Sequence, residues 1–272
     1  MKYRRFIEFM VLVLAIIFLL PMLLIVLTSF KSEAEILNFS SLLPKNWTLS
    51  NYVRLFSNHE EIPIAVWTIN SFLYASTTTL IVLIIDSLAA YGLARMNLRF
   101  SKTILAIFIA TMMVPAQVQL IPTYLILNKF GWLDTMLAIV IPPTANAFGI
   151  FLLYQFFKKI PKDLEEAAAL DGCSRLRMFW HIALPLSKPA LATLGLLVFL
   201  GSWNDFLSPL VFLDSSDRLT LPVGIATFQS SYYSEYSLTL AAGTIATVPA
   251  LLAFLIFQKS IIEGIAHSGL KD

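Results

Sequence analysis

Apolar residues in this chain gather into six long runs, at roughly 6–30, 67–93, 103–127, 135–157, 188–213 and 238–262, with polar segments between them. A helix needs about 20 mainly apolar residues to cross the hydrocarbon core of a membrane, and each run supplies that length. In lipid every backbone polar group must be satisfied within the segment itself, so runs of this kind read as helices. The second run is the most diluted, by Thr77, Thr78, Thr79 and Asp86. The connecting segments are 31–66, a short link at 94–102, a turn at 128–134, a loop at 158–187, a polar loop at 214–237 and a tail from Lys259 to Asp272. The pattern predicts an all-α membrane protein with six transmembrane helices, organised as one transmembrane domain over 1–272.

The first run follows the basic start Met1 to Arg5 and is interrupted only by Glu8 and Pro21. It exceeds the roughly 7–15 apolar residues of a signal-peptide core, and it reads as an uncleaved span. Basic residues near span ends are retained on the cytoplasmic side. With the N-terminus inside, the inner segments hold Lys2, Arg4, Arg5, Arg95, Arg99, Lys102, Lys158, Lys159, Lys162, Arg175, Arg177, Lys188, Lys259 and Lys271, which is 14 of the 19 Lys and Arg. Lys31, Lys45, Arg54, Lys129 and Arg218 fall outside. Both termini and the loop 158–187 are therefore expected in the cytoplasm.

Composition agrees with the pattern and narrows the chemistry. The chain is 58% hydrophobic and 13% charged, beyond what a water-soluble domain of 272 residues can hide. One cysteine, Cys173, allows no intrachain disulfide, and His59, His181 and His267 are too scattered for a metal site. A net charge of +2 without a basic run argues against nucleic acid as a partner. No phosphate-cradling G-x-x-x-x-G-K-[ST] sequence is present, so the chain is not expected to consume ATP. Neither H-E-x-x-H nor G-x-S-x-G occurs, which weakens a membrane enzyme. No period of 20–50 residues repeats, and no stretch is of low complexity.

The loop carries the strongest local signal. Residues 165–186 read EEAAALDGCSRLRMFWHIALPL. Pro161 suits the first turn of a helix whose early Asp163, Glu165 and Glu166 complement the positive end of its dipole. Three alanines keep that helix slim enough for another surface to approach closely. Gly172 supplies a left-handed stop, and Ser174 caps a second helix through Arg175, Phe179 and Ile182 that Pro185 is expected to break. By itself such a helix-turn-helix also fits an element lying on lipid headgroups.

Glu166, Ala167, Ala168, Asp171, Gly172, Ile182, Leu184 and Pro185 match, at the right spacing, the EAA loop of ABC importer permeases. SLAAYGLARMNL (87–98), MMVPAQVQLIPTYLIL (112–127), FGIFLLYQFFKKIPKDL (148–164), GSWNDFLSPLVFL (201–213), LTLPVGIATFQ (219–229) and FQKSIIEGIAHSGLKD (257–272) extend the resemblance. Together they are similar to the maltose-type carbohydrate permeases, in the smaller subunit type, with a type I ABC importer permease fold. Residues before Ser87 resemble that family mainly in layout.

The resemblance implies a permease of the bacterial cytoplasmic membrane. Its implied partners are a second, homologous permease forming a heterodimer, two ATPase subunits that bind ATP and Mg, and an extracytoplasmic sugar-binding protein. No cofactor is implied on this chain. Glu166 would make a charge-assisted contact with a basic group of the ATPase, Ala167 and Ala168 would permit close packing, and Gly172 would set the turn. The tail around Glu263, Gly264 and Gly269 would extend that interface. Alternatives are a permease for glycerol phosphate esters and, in a different class, an ion-driven secondary transporter with inverted repeats that the sequence does not display.

Within the spans, Trp203, Asn204 and Asp205 near the end of the fifth run are candidates for the translocation pathway, because an intramembrane carboxylate is by default a functional candidate. A hydrogen-bonded tie between helices accounts for them equally well. Asp86 reads as a buried tie to Ser87 or to a neighbouring helix. Pro115, Gln117 and Pro122 mark the third run as kinked, with Gln117 a further pathway candidate.

Overall fold

The computed structural model describes residues 2–38, 41–57, 62–231 and 235–269, and among them there is no strand. In chain order the helices are α1 (Lys2–Thr28), α2 (Glu33–Leu37), α3 (Ser50–Ser57), α4 (Ile64–Arg95), α5 (Ser101–Thr111), α6 (Ala116–Phe130), α7 (Met136–Val140), α8 (Ala147–Lys159), α9 (Lys162–Leu170), α10 (Arg175–Met178), α11 (Leu184–Leu186), α12 (Lys188–Trp203), α13 (Leu207–Phe212), α14 (Leu221–Ser231) and α15 (Tyr236–Gly269). Three stretches are long and apolar enough to cross a membrane unbroken: Tyr3–Thr28, Ile64–Arg95 and Tyr236–Ile256. Three more qualify only as bent pairs, which makes up to six spans.

The sharpest bend falls at a proline, which cannot donate a backbone hydrogen bond. The run expected at 103–127 is two helices, α5 and α6, meeting at 96°. Pro115 occupies the N-cap of α6 with an extended backbone, ψ 134°, while Pro122 is accommodated inside the helix. The fourth run bends by 43° at Asn146, whose side chain then accepts from the amides of Phe148 and Gly149 to start α8. The fifth run ends its first helix at Trp203. Asn204, Asp205 and Phe206 break it before α13, so Asp205 sits in the break and not inside a helix.

The chain packs as two compact units. The first takes in 1–68 and 220–249. The Asn51 side chain donates to the carbonyls of Ser29 and Lys31, and Phe30 rests between Trp47 and Tyr52, so the segment after α1 folds back on itself. Glu33 reaches across the sequence to accept from the amides of Tyr236 and Ser237 at the start of α15. Beyond Glu8 the α1 surface is apolar on every side, and over its most apolar stretch no residue is buried among the described residues, as expected for a helix facing lipid or another membrane chain.

The second unit takes in 69–219 and 250–272. Its core joins Ala90 and Tyr91 of α4, Leu105 of α5, Ile150, Leu153 and Phe157 of α8, and Ala190 and Leu194 of α12. Phe179 and Ala183 enter the same core from the loop between α8 and α12. Tyr91, Phe157 and Phe179 form an aromatic triangle with centroid separations of 5.7, 5.2 and 6.5 Å. Such edge-on contacts add to the burial of large rings, and here they fasten the loop to the helices above it.

Candidate functional site

Helix α9 begins after Pro161, which is its N-cap and not a first-turn residue, and carries Asp163 and Glu165 in its first turn. It ends in a Schellman motif: the amide of Gly172 donates to Ala169, and that of Cys173 to Ala168. Gly172 has φ +78°, the left-handed backbone this motif requires. Ser174 then caps α10 by accepting from the amide of Arg177 at 3.3 Å.

Pro185 does not break the second helix. Residues Phe179–Ala183 form a π turn in which the amide of Leu184 donates to the carbonyl of Phe179, and α11 continues through Pro185 to Leu186. The wider turn spares the proline ring a clash with the carbonyl four residues earlier and absorbs its missing donor. The helix instead stops at Ser187, where the chain turns by 79° into α12. The unit is therefore longer than its sequence implies, and its buried side bears Met178, Phe179 and Ala183.

Its outward side presents Glu166, Ala167 and Asp171 to solvent, with Gly172 at the turn. Ala168, Ile182 and Leu184 are half-buried, and Pro185 is exposed. Leu170 stands 90% exposed at the tip, an apolar knob that sequence reading passed over. The adjacent Glu165 points the other way and is buried against Arg95. Only helical phase separates the two glutamates, and the uniform alanines that follow give that phase no marker.

The intramembrane candidates divide. Trp203 is buried and stacked on Phe199 at 6.1 Å with 17° between the rings, which makes it part of the packing. The Asn204 side chain donates to the carbonyl of Leu200 and closes its own helix. Asp205 is half-buried, its carboxylate accepts from the amide of Ser208 over a long 3.4 Å as its one hydrogen bond among the described residues, and the residue borders two cavities of about 300 and 150 Å³. Thr78, Asn146 and Ser202 also border the larger, against a wall that includes Ile139, Leu194 and Leu197. Gln117 is exposed and lines neither. Ala116, Gln119 and Thr123 of the same helix border the smaller cavity.

Asp86 is fully buried, yet the Ser87 hydroxyl donates to Ile84 and makes no tie to it. The Asp86 carboxylate lies against the backbone of Gly149, so close that a Cβ there would come within 3.0 Å of Cγ. The side chains of Glu263 and Gly264 in the expected tail lie outside the described residues, as do 270–272.

A family model described as binding-protein-dependent transport system inner membrane component matches residues 86–266. The chain is 34% identical over 260 residues to the sulfoquinovosyl glycerol transport system permease protein SmoH of Agrobacterium fabrum, covering 93% of this chain and 89% of that one. It is 35% identical over 262 residues to the trehalose/maltose transport system permease protein MalG of Thermococcus litoralis, covering 95% and 93%. Among solved structures, it is similar to a chain of a bacterial ABC transporter involved in the import of the acidic polysaccharide alginate, with TM-score 0.82, 25% identity and 96% of both chains covered.

Proposed function

The chain belongs to the family of binding-protein-dependent transport system inner membrane components, and on that footing we propose that it forms half of the translocation pathway of a bacterial sugar-importing ABC transporter. It is a transport subunit of the cell membrane and not an enzyme in its own right. In this reading a second, homologous permease completes the pore, and two ATPase subunits, carrying ATP and Mg, dock on the loop 158–187 from the cytoplasm. An extracytoplasmic binding protein delivers the solute.

The observation that carries the coupling role is the Schellman turn at Gly172 below an outward face of Glu166, Ala167 and Leu170. A small rigid helix-turn-helix with a carboxylate, a slim alanine surface and one apolar knob suits insertion into a cleft on another protein. Closure of the ATPase pair would then move it as a body. The substrate class rests on the relatives and is supported by the larger cavity, which Thr78, Asn146, Ser202 and Asp205 border among apolar side chains. Among the described residues no Lys or Arg borders that cavity, so a neutral polyhydroxylated solute suits it better than a glycerol phosphate ester.

Uptake of a panel of labelled sugars into proteoliposomes bearing the whole complex, with and without internal ATP, tests the proposal. ATP-dependent uptake of one sugar is expected, and it falls sharply in Glu166→Ala and Gly172→Pro while the complex still assembles. Uptake that persists without ATP and ignores both substitutions would replace this reading with an ion-driven transporter.

A further inference from the structure

Glu165 and Glu166 are neighbours in sequence and opposites in setting. The Glu165 side chain is 8% exposed, with Oε1 3.5 Å from Nε of Arg95 and Oε2 3.8 Å from a terminal nitrogen of Arg175. Arg95 is itself 4% exposed, and it donates a further hydrogen bond to the carbonyl of Ile160, the residue that closes α8. Arg95 is the last residue of α4. One guanidinium therefore joins the end of α4, the exit from α8 and the first turn of α9, and Glu165 extends the tie to α10.

A buried ion pair adds little net stability, because desolvating two charges offsets most of their attraction. What it does supply is a fixed arrangement, since separating the partners strands each as an unpaired buried charge. The position of this pair gives the arrangement a use. Between α8 and α9 the chain is a two-residue link, Ile160 and Pro161, both extended with ψ near 130°. Left alone, that link is a hinge about which α9 would swing when pushed from its outer face. The pair bridges it.

The middle of α4 reaches the candidate pathway. Thr78 lies on the same uninterrupted helix and borders the larger cavity, about 26 Å from Arg95 at the standard helical rise. A helix of 32 residues without an internal proline can carry a displacement along its length.

We infer that Arg95 is a positioning residue of the transport cycle, which through Glu165 makes the loop and the end of α4 a single body so that displacement of the loop moves the cavity wall. This rests on the reading that an ATPase docks on the outer face of α9. The tie is at the buried face, so the two ideas can fail separately.

The experiment measures sugar moved per ATP hydrolysed in proteoliposomes carrying the complete complex. Arg95→Met and Glu165→Gln are expected to keep the ATPase bound and hydrolysing while the sugar-to-ATP ratio falls about tenfold, the scale of a typical coupling between sites. Arg95→Lys, which keeps the charge and loses the fork, falls between them and the native protein. Native stoichiometry in assembled Arg95→Met overturns the inference. Glu166→Ala, run alongside, reports on the outer face: uptake is expected to fall in the assembled complex, and native uptake in it would count against the docking reading alone.

A cross-link decides the matter independently of whether Arg95→Met assembles. Ala94 and Ala169 border one cavity of about 190 Å³ beside the pair. With Cys173→Ser to remove the native thiol, Ala94→Cys and Ala169→Cys are bridged by a short bifunctional thiol reagent. Elements that move together tolerate the bridge, so transport is expected to continue at its unbridged rate. Loss of transport on bridging, with the ATPase still bound, would show that α4 and α9 move apart in the cycle and would sink the inference.

Discussion

Trp67 of α4 lays its indole directly on the backbone of Gly224 in α14. A Cβ at Gly224 would stand 2.7 Å from Cε2 and closer still to Cδ2 and Cε3. A rigid ring that is 3% exposed cannot swing away as a flexible side-chain end can, so the backbone would have to move. Gly224→Ala is therefore expected to cost about 1–3 kcal/mol, the range for overpacking a filled site. A lowered thermal midpoint in detergent checks it. In a Trp67→Ala background, which makes room for the methyl, Gly224→Ala should cost less than it does in the native protein. An unchanged midpoint in the single variant would show that α14 shifts freely.

A second prediction concerns the start of α15. Glu33 holds the amides of Tyr236 and Ser237 at 3.1 and 2.8 Å, two of the donors that a helix N-terminus leaves without intrahelical partners. A carboxylate there also meets the positive end of the helix dipole. Glu33→Ala should cost about 1 kcal/mol and speed hydrogen exchange at 236–239. Glu33→Gln should lie between, keeping an acceptor and losing the charge. Exchange rates equal in all three proteins would remove the cap from the account.

The outer limits of the apolar runs were legible because hydropathy is an average property. The unbroken helices Lys2–Thr28 and Ile64–Arg95 run within a few residues of the expected 6–30 and 67–93. The breaks were harder, because a proline marks a lost donor without saying whether the chain ends, bends or widens to absorb it. Pro115 turned the chain by 96°, Pro122 did nothing comparable, and Pro185 was absorbed by the π turn that follows the four residues of α10. The loop motif was readable down to its glycine. The burial of Glu165 was not, since it depends on Arg95, 70 positions earlier, meeting it in space. Asp205 is legible as an intramembrane carboxylate, but the two cavities it borders are encoded in no local pattern.

Acid should loosen one connection in the second unit before the rest. Burial raises the Asp134 carboxyl, but hydrogen bonds from the Ser215 hydroxyl and the amides of Asp214 and Ser215, with the Arg218 guanidinium, outweigh it and hold the group below its ordinary value of 3.8. A depressed carboxyl contributes stability that is present in full above its unfolded value and is lost as pH falls through its folded one. Exchange protection at the amides of Asp214 and Ser215 should thus persist down to about pH 4 and fall below it. Asp134→Asn should weaken the connection at neutral pH and abolish its acid dependence, while preserving the left-handed φ of 55° that asparagine tolerates. Acid dependence that survives in Asp134→Asn would assign it to another group.

At Gly172, space and backbone geometry make different predictions. Nothing lies within 4 Å of where a Cβ would stand, so a side chain meets no obstacle within the chain. The constraint is φ +78°, which costs an ordinary L-residue about 1–2 kcal/mol and asparagine less. If the turn matters only for its conformation, Gly172→Asn should retain most ATP-dependent uptake and Gly172→Val should lose most of it. If the open space is needed by a docking partner, both variants should lose uptake, and asparagine should do so without loosening the turn. The two cases separate on exchange at Gly172 and Cys173, whose amides close the Schellman motif. Protection with uptake in Gly172→Asn assigns the glycine to the backbone, and protection without uptake assigns it to the surface that the ATPase would approach.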